Sequence, residues 1–402
     1  MTLEKAFKPT GFLARFAEVD AGDEDSDTTK SAFDKFMDHF GVELWYNRVD
    51  ALHTGLKYKQ SVTKRLSFQI LGAYNNGSEK WASGGEINLK MLKNEKMNLG
   101  LSYYINTASQ FSADLYPWLF TSLLPLFDQD DYYDYYWREH LRADVGFKWS
   151  KADLLITAGF NREYHDNLYK ATNWNILNKS IKQRRNPEIE KGELRSIDLK
   201  IEYGEKVPFG IVGSNYADFN VEVSTPDLFN SDFNFIRYYG SLEWRFNTFL
   251  KRRILPNALD FKIMGGYSTG DLPIQRYGAL EGNLFAFTPF GGFRTLNGQV
   301  YRGEKYAALM WEHNFRTVPF ELIGLRYLAK KGIGIIMHGA HGRTWIDKDS
   351  LWKQDINYLY TDKIHHEIGL SINGIFDFLR FDMTQRLDQK AFYIGLSFAR
   401  MF

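Results

Sequence analysis

From Gly41 onward, apolar and polar residues alternate along the chain with a period of two. In the clearest run, residues 141–149, every second side chain is apolar and the intervening ones are charged or small. The same alternation recurs in four further segments: 197–203, 242–246, 368–372 and 379–383. Successive side chains of a β-strand point to opposite faces. The pattern therefore predicts strands with one apolar and one charged face.

Such runs predict sixteen strands, an even number, separated by turns of two kinds. The predicted strands are 42–47, 53–60, 66–75, 81–92, 97–106, 136–149, 152–163, 193–204, 217–226, 235–247, 258–268, 305–316, 332–345, 365–374, 376–387 and 391–402. Short turns such as 75–77 alternate with long connections at 107–135, 164–192 and 269–304. Short turns at one rim and long loops at the other are typical of a transmembrane β-barrel.

Three features favour a barrel over a soluble sandwich or propeller. Many strands reach the roughly ten residues that cross a bilayer at a tilt. Aromatic residues, 16% of the chain, gather near strand ends, as in interfacial girdles. The polar faces carry charges that a wet lumen accommodates. We predict an all-β fold: a sixteen-stranded antiparallel transmembrane β-barrel of the outer-membrane type over residues 41–402, closed by pairing of its first and last strands.

Residues 1–40 differ from the rest in pattern. An acidic stretch around 20–27 precedes phenylalanines at helical spacing, Phe33, Phe36 and Phe40. We interpret this segment as a linker with one short helix. No secretory signal is evident after Met1, so we expect the chain to be the barrel portion of a longer precursor.

Composition narrows the function classes. Lys and Arg total 50 against 49 Asp and Glu, and the basic residues are scattered, which argues against a nucleic-acid partner. The absence of Cys excludes disulfides and thiolate metal sites. No apolar stretch approaches the roughly 18 residues of a spanning helix.

Apparent enzyme motifs fail on structural context. Gly266–Gly270 matches the nucleophile-elbow pattern, but the segment after it does not predict the required helix. His338 and His341 resemble a metal pair, yet an offset of three on a strand places the rings on opposite faces. The adjacent His365 and His366 have the same defect. We predict no catalytic, cofactor-binding or metal-binding residues.

The most informative segment runs from 271 to 316. It contains a glycine pair and an arginine tip, Gly291, Gly292, Phe293, Arg294, Thr295 and Leu296, before a predicted strand that carries Glu312. This segment resembles the sixth extracellular loop and twelfth strand of the BamA/TamA-type superfamily, also called the bacterial surface antigen family. Residues 46–50 similarly resemble that family's barrel opening. Thr295 and Leu296 depart from the Gly and aromatic residue of the family pattern.

The resemblance implies that the loop folds back into the lumen, where its arginine pairs with an acidic group. A buried guanidinium without a carboxylate would be costly. His338 stands where relatives commonly carry an Asp, so our hypothesis is that Glu312 is the partner of Arg294. The alternative is that Arg294 is a solvated loop residue.

The last predicted strand resembles the sorting signal of bacterial barrels. Phe392, Ile394, Leu396 and Phe398 share one face, and the chain ends on Phe402. Arg400 interrupts the series, and we expect it to snorkel at the periplasmic rim. Gly395 has no side chain to pack and would weaken the seam between the first and last strands.

The resemblance implies insertion, assembly or translocation of proteins at the bacterial outer membrane through that seam, by β-augmentation. The expected partners are outer-membrane lipids, nascent outer-membrane proteins and periplasmic domains encoded upstream. The alternative is a passive barrel that anchors or exports an upstream accessory domain, for example a carboxypeptidase-regulatory-like one. A diffusion porin lacks the glycine–arginine loop, and an enzyme is the least favoured class.

Overall fold

The computed structural model describes residues 39–400 apart from 93–95, 112–114, 117, 178–181, 207–214, 254, 348–358 and 362. Sixteen of the described strands form one antiparallel sheet. They are β1 (Phe40–Asn47), β2 (Ala51–Ser61), β3 (Leu66–Asn75), β4 (Lys80–Met91), β5 (Met97–Ser109), β6 (Tyr135–Trp149), β7 (Leu154–Asn167), β8 (Gly192–Tyr203), β9 (Tyr216–Ser224), β10 (Phe235–Asn247), β11 (Ala258–Gly270), β15 (Lys305–Arg316), β16 (Gly334–Trp345), β17 (His365–Ile375), β18 (Leu379–Arg386) and β19 (Ala391–Phe398).

Three shorter strands lie between β11 and β15 and form a separate small sheet. They are β12 (Gly278–Asn283), β13 (Phe293–Asn297) and β14 (Val300–Gly303). Each strand of the large sheet pairs with its neighbour in chain order, so that β11 pairs directly with β15 across this insertion. The predicted sixteen-stranded antiparallel fold is confirmed.

The alternation of burial identifies the inner face of the wall. On β15, Tyr306, Ala308 and Met310 are buried, whereas the intervening Leu309 is exposed. The exposed apolar side chains face lipid and the buried ones face the lumen. Period-two patterning thus assigns both faces of the wall.

The prediction of closure between first and last strands is wrong for the described residues. The hydrogen-bonded order begins at β1 and ends at β19, and no ladder joins these two. The edge of β19 instead pairs with loop residue Phe287, through a parallel bridge to Leu396. That edge is therefore already occupied by a segment of the same chain.

Helices occupy the connections between strands. They are α1 (Trp118–Leu126), α2 (Pro226–Phe229), α3 (Val318–Leu322) and α4 (Arg326–Lys330). Within the described part of the chain, no helix combines the length and the apolarity needed to cross a membrane. The predicted helix before Phe40 falls on residues outside those described, and Phe40 itself begins β1.

The connections differ in length at the two rims. Those between β5 and β6, β7 and β8, and β11 and β15 are long, and by the rule for such barrels they mark the extracellular rim. At the opposite, periplasmic rim, the turn between β17 and β18 has three residues, 376–378. The connection carrying α3 and α4 also lies at this rim, and it is longer than that turn, as are the connections between β8 and β9 and between β10 and β11.

Candidate functional site in the lumen and at the strand seam

The loop between β11 and β15 packs against the inner wall of the barrel. Leu280, Phe293 and Leu296 of the loop are buried in one cluster with wall residues of β15 and β16, among them Met310 and Ala340. Burial of these apolar side chains stabilises the loop inside the lumen. The fold-back that the resemblance implied is present in the structure.

The glycine pair shapes the turn that leads to β13. Gly291 has a φ of +106°, in the left-handed region that side chains rarely adopt. A Cβ added to Gly292 would lie 2.8 Å from Leu115 Cδ2 and 3.0 Å from Thr288 Cγ2. The backbone conformation therefore requires glycine at the first position, and at the second an added methyl group would displace the ends of two side chains.

Arg294 follows this turn and is 3% exposed. Its Nη2 donates to Glu312 Oε1 at 2.8 Å, and its Nε lies 3.7 Å from Asp382 Oδ2. The loop guanidinium is thus placed between two wall carboxylates, on β15 and β18. Such a buried pair needs both partners, because either charge alone would be desolvated without compensation.

A third carboxylate holds the backbone of the same tip. Glu367 of β17 accepts the N–H of Arg294 through Oε1 at 2.8 Å and the N–H of Thr295 through Oε2 at 2.9 Å. The Thr295 hydroxyl also donates to Oε2 at 2.7 Å. The threonine that departs from the family pattern therefore adds a hydrogen bond of its own.

Glu312 serves two more guanidinium groups. Arg380 Nη1 donates to Glu312 Oε2 at 2.8 Å, and its Nε donates to Asp382 Oδ1 at 2.7 Å. Arg400 Nε lies 3.5 Å from Glu312 Oε2, and its Nη2 lies 2.8 Å from Asp260 Oδ2. The expectation that Arg400 snorkels at the rim is wrong, because buried carboxylates on the inner wall hold its guanidinium in the lumen.

Sequence reasoning missed Arg380, Asp382 and Glu367 as members of this cluster. The sequence does predict that Arg380 and Asp382 point inward, because both alternate with apolar residues on β18. Which inward charges meet the loop depends on barrel curvature and on the depth of the loop. Neither is encoded in the period of a single strand.

The histidines point as the spacing predicts. His338 is buried on the inner face, where it contacts the hydroxyls of Ser371 and Thr384 at 3.0 and 2.9 Å. His341 lies on the other face, and its Nδ1 lies 2.9 Å from Nδ1 of His366. His338 therefore lies beside the Arg294 cluster with two hydroxyl groups as its partners.

A second cluster of buried charges joins the turn between β1 and β2 to the long connection between β5 and β6. Arg48, in the turn between β1 and β2, is fully buried and lies 2.7 Å from Asp134 through Nη2. Its backbone N–H donates to Asp131 Oδ2 at 2.9 Å. Burial alone would raise the pKa of Asp134, but Arg184 and Arg48 outweigh it and hold that pKa below its ordinary value. Burial dominates at Asp131 and raises its pKa.

The edge of the last strand that faces away from β18 carries a short parallel bridge. The N–H of Leu396 donates to the carbonyl of Ala286 at 2.6 Å, and the N–H of Thr288 donates to the carbonyl of Leu396 at 3.3 Å. These contacts are the same kind that an added strand would make. They occupy one residue of β19.

Aromatic contacts extend from this bridge toward β1. Phe287 lies between Phe398 of β19 and Phe120 of α1, with ring centroids 4.9 and 5.5 Å away. At the start of the same helix, Trp118 meets Trp45 of β1 edge to face at 5.9 Å. Loop and helix therefore link the two strands that no ladder joins.

Gly395 and Phe398, two of the three predicted seam residues, lie in the described part of the chain. Gly395 faces the lumen, and a Cβ added there would lie 1.9 Å from the hydroxyl of Tyr393. That hydroxyl lies 3.3 Å from Thr288 Oγ1. Phe402 lies outside the described residues.

Fold and site together define a class: an outer-membrane β-barrel whose long loop folds into the lumen and reaches the last strand. No protein-family model and no curated protein matches the chain. Among solved structures, the chain is similar to BamA from Haemophilus ducreyi lacking POTRA domains 1–3, with a TM-score of 0.51 and 12% identity, over 89% of this chain and 69% of that one. This likeness confirms the barrel fold, and the predicted outer-membrane location agrees with it.

Two further solved barrels align at lower scores. CdiB from Acinetobacter baumannii has a TM-score of 0.42 and 11% identity, over 89% of this chain and 58% of that one. OccK11 from Pseudomonas aeruginosa has a TM-score of 0.33 and 11% identity, over 89% of this chain and 90% of that one.

Proposed function

We propose that this barrel acts in the insertion or translocation of proteins at the outer membrane, by pairing an incoming strand at the seam between β1 and β19. The observation that carries the proposal is the edge of β19, where Leu396 already exchanges two backbone hydrogen bonds with residues 286 and 288. An edge that exchanges backbone hydrogen bonds with a loop segment of its own chain has the geometry to exchange them with a client strand.

Replacing the loop segment at this edge by a client strand would cost little free energy. A net backbone hydrogen bond contributes about 0.5–1.5 kcal/mol, so two of them are easily replaced by a longer ladder from a client strand. The energy comes from client folding, and no nucleotide is involved. The buried ion pairs of Arg294 hold the loop in the lumen while its 284–288 segment leaves and returns.

A disulfide between Phe287→Cys and Leu396→Cys tests this proposal. The two residues are bridge partners and the chain has no native Cys, so this would be its only disulfide. The matched control pairs Leu370→Cys with Met383→Cys, partners on β17 and β18 away from the seam. Both variants are reconstituted in liposomes, and the folding rate of a small client barrel is measured oxidised and reduced.

We expect the protein to accelerate client folding over empty liposomes. Oxidation should abolish the acceleration in the seam variant, reduction should restore it, and the control should be insensitive. Absence of acceleration in every state would contradict the proposal and leave a barrel that only anchors or exports an upstream domain. Acceleration that persists with the locked bridge would place client pairing away from β19.

A further inference from the structure

The connection between β15 and β16 presents apolar side chains at the periplasmic rim. Its helices α3 and α4 bury none of their residues. Leu322 is 82% exposed, and Ile323 and Tyr327 are each 68% exposed. Clusters of exposed apolar side chains of this kind mark interaction surfaces.

Two neighbouring turns extend this surface. The turn between β10 and β11 adds Phe249, Leu250 and Leu255, and Arg253 of that turn forms a forked pair with Glu321 of α3, at 3.0 and 2.8 Å. The turn between β17 and β18 adds Phe376 and Phe378, which are exposed as well. We call the exposed residues of 249–255, 321–331 and 376–378 the periplasmic shelf.

The shelf is attached to the lipid-facing side of the wall. The ring of Phe249 lies 5.2 Å from that of His313 and 5.9 Å from that of Phe315, between centroids. His313 and Phe315 face outward, because the alternating Glu312 and Asn314 are buried on the inner face. This contact sits where β15 ends, at the level of the membrane interface.

The charge of the shelf is strongly positive. Six exposed cations, Lys251, Arg252, Arg253, Arg326, Lys330 and Lys331, stand against two carboxylates, Glu321 and Asp377. Arg253 forms an ion pair with Glu321, and Lys331 lies over the ring of Tyr327 at 5.0 Å from its centroid. Exposed apolar side chains interleaved with Lys and Arg are typical of segments that lie in a membrane interface and attract anionic lipid.

We propose that the periplasmic shelf binds the anionic headgroups of phospholipids in the periplasmic leaflet, with Leu322, Ile323 and Tyr327 entering the acyl boundary. A lipid occupant is favoured over a protein because the shelf is anchored on the outward face of β15. Its charge complements a phosphate surface, and its apolar residues project beside the strands that span the bilayer.

Quenching of a fluorophore on Leu322→Cys tests the proposal in the full chain. The chain is reconstituted in nanodiscs of phosphatidylcholine that contain spin-labelled phosphatidylglycerol or spin-labelled phosphatidylcholine at the same fraction. A label on Val62→Cys, in the exposed turn after β2 at the same rim, serves as the position control. The folded state of every variant is checked by its heat-sensitive migration in a gel.

We expect the anionic quencher to act several-fold more strongly than the neutral one at position 322, and with a clearly smaller excess at position 62, where Lys64 and Arg65 are the nearby cations. The excess should fall in high salt, because screening weakens the attraction. Neutralising Lys251, Arg252, Lys330 and Lys331 to Gln should abolish it. The matched variant neutralises Lys64, Arg65, Lys148 and Lys151 at other periplasmic positions and should leave it unchanged.

Two results would overturn the proposal. Equal quenching by the two lipids at position 322 would show that the shelf does not select anionic headgroups. No quenching by either lipid would place the shelf in water, where a periplasmic protein rather than the membrane would cover it.

Discussion

Arg294 and Glu312 form a buried ion pair that joins the folded loop to the barrel wall, with Nη2 and Oε1 2.8 Å apart. Glu312 also neutralises Arg380, at 2.8 Å, and Asp382 lies within 4 Å of both guanidinium groups. Arg294 is therefore one member of a network of buried charges. Removing its guanidinium would leave the carboxylates of Glu312 and Asp382 with less positive charge to compensate them.

The first prediction concerns Arg294→Ala. The variant leaves Glu312 and Asp382 with one guanidinium fewer in a buried site, so we expect a loss of about 3–5 kcal/mol in the stability of the docked loop. Limited proteolysis of residues 284–300 and a denaturant titration of the folded barrel measure it.

Arg162→Ala is the matched control, since Arg162 pairs with Glu193 on the exposed outer face. A surface pair contributes little, so this variant should keep the loop protected. If Arg294→Ala were as stable and as protected as the control, Arg294 would be a solvated loop residue rather than a structural tie.

The second prediction concerns pH at the periplasmic shelf. Hydrogen bonds from Arg253 and Thr317 lower the pKa of Glu321 from 4.5 to about 2. A lowered pKa means that the contact stabilises the folded state fully above pH 4.5 and is lost as pH falls through about 2. A spin label on Leu322→Cys should therefore gain mobility near pH 2.

Glu321→Gln provides the control for this titration, because its amide cannot ionise. The label should then show the same mobility from pH 5 down to pH 1.5. A mobility change centred near pH 4.5 in the unmodified shelf would mean that Arg253 does not hold Glu321 in solution.

The strands of the barrel wall can be predicted from sequence because each strand shows the alternation of apolar and polar residues by itself. The segment 235–247 is predicted with the same bounds that β10 has in the structure. The last strand ends at Phe398 rather than 402, because Asn373 Oδ1 accepts the N–H of Arg400 and turns the chain inward. Local alternation cannot reveal such a distant acceptor.

The strands of the loop between β11 and β15 could not be predicted from the sequence pattern. Its strands β12 and β13 are short, and β12 pairs with β14 across about twenty residues, so no run is long enough for a period to show. The pairing of Arg294 with Glu312 was proposed from a resemblance and from charge. The roles of Asp382 and Glu367 require the depth of the loop in the lumen, which tertiary packing determines.

The third prediction concerns Gly395. An added Cβ would collide with the hydroxyl of Tyr393, and the far end of that side chain must then move away from Thr288. We expect Gly395→Ala to fold, to weaken the attachment of residues 284–288 to β19 and to increase their hydrogen exchange. Gly298→Ala is unsuitable as a control because its φ is +61°.

Tyr393→Phe is the better control, because it removes the hydroxyl without filling the space at Gly395. Tyr393→Phe should show only the part of the increase in hydrogen exchange that comes from the lost contact with Thr288. Unchanged exchange in Gly395→Ala would mean that Tyr393 does not help to hold the loop segment.

The last prediction concerns Thr288→Pro, which removes the N–H that donates to the Leu396 carbonyl. One of the two hydrogen bonds at the edge of β19 is lost, and the segment should leave the seam more often. We expect more frequent open events in planar-bilayer conductance and faster capture of a client strand by crosslinking at position 396. Thr288→Ala keeps the N–H and loses only the side-chain contact with Tyr393, so it should show the smaller effect of Tyr393→Phe and not the larger effect of Thr288→Pro. Equal conductance and capture in the two variants would show that this bridge does not keep the edge occupied.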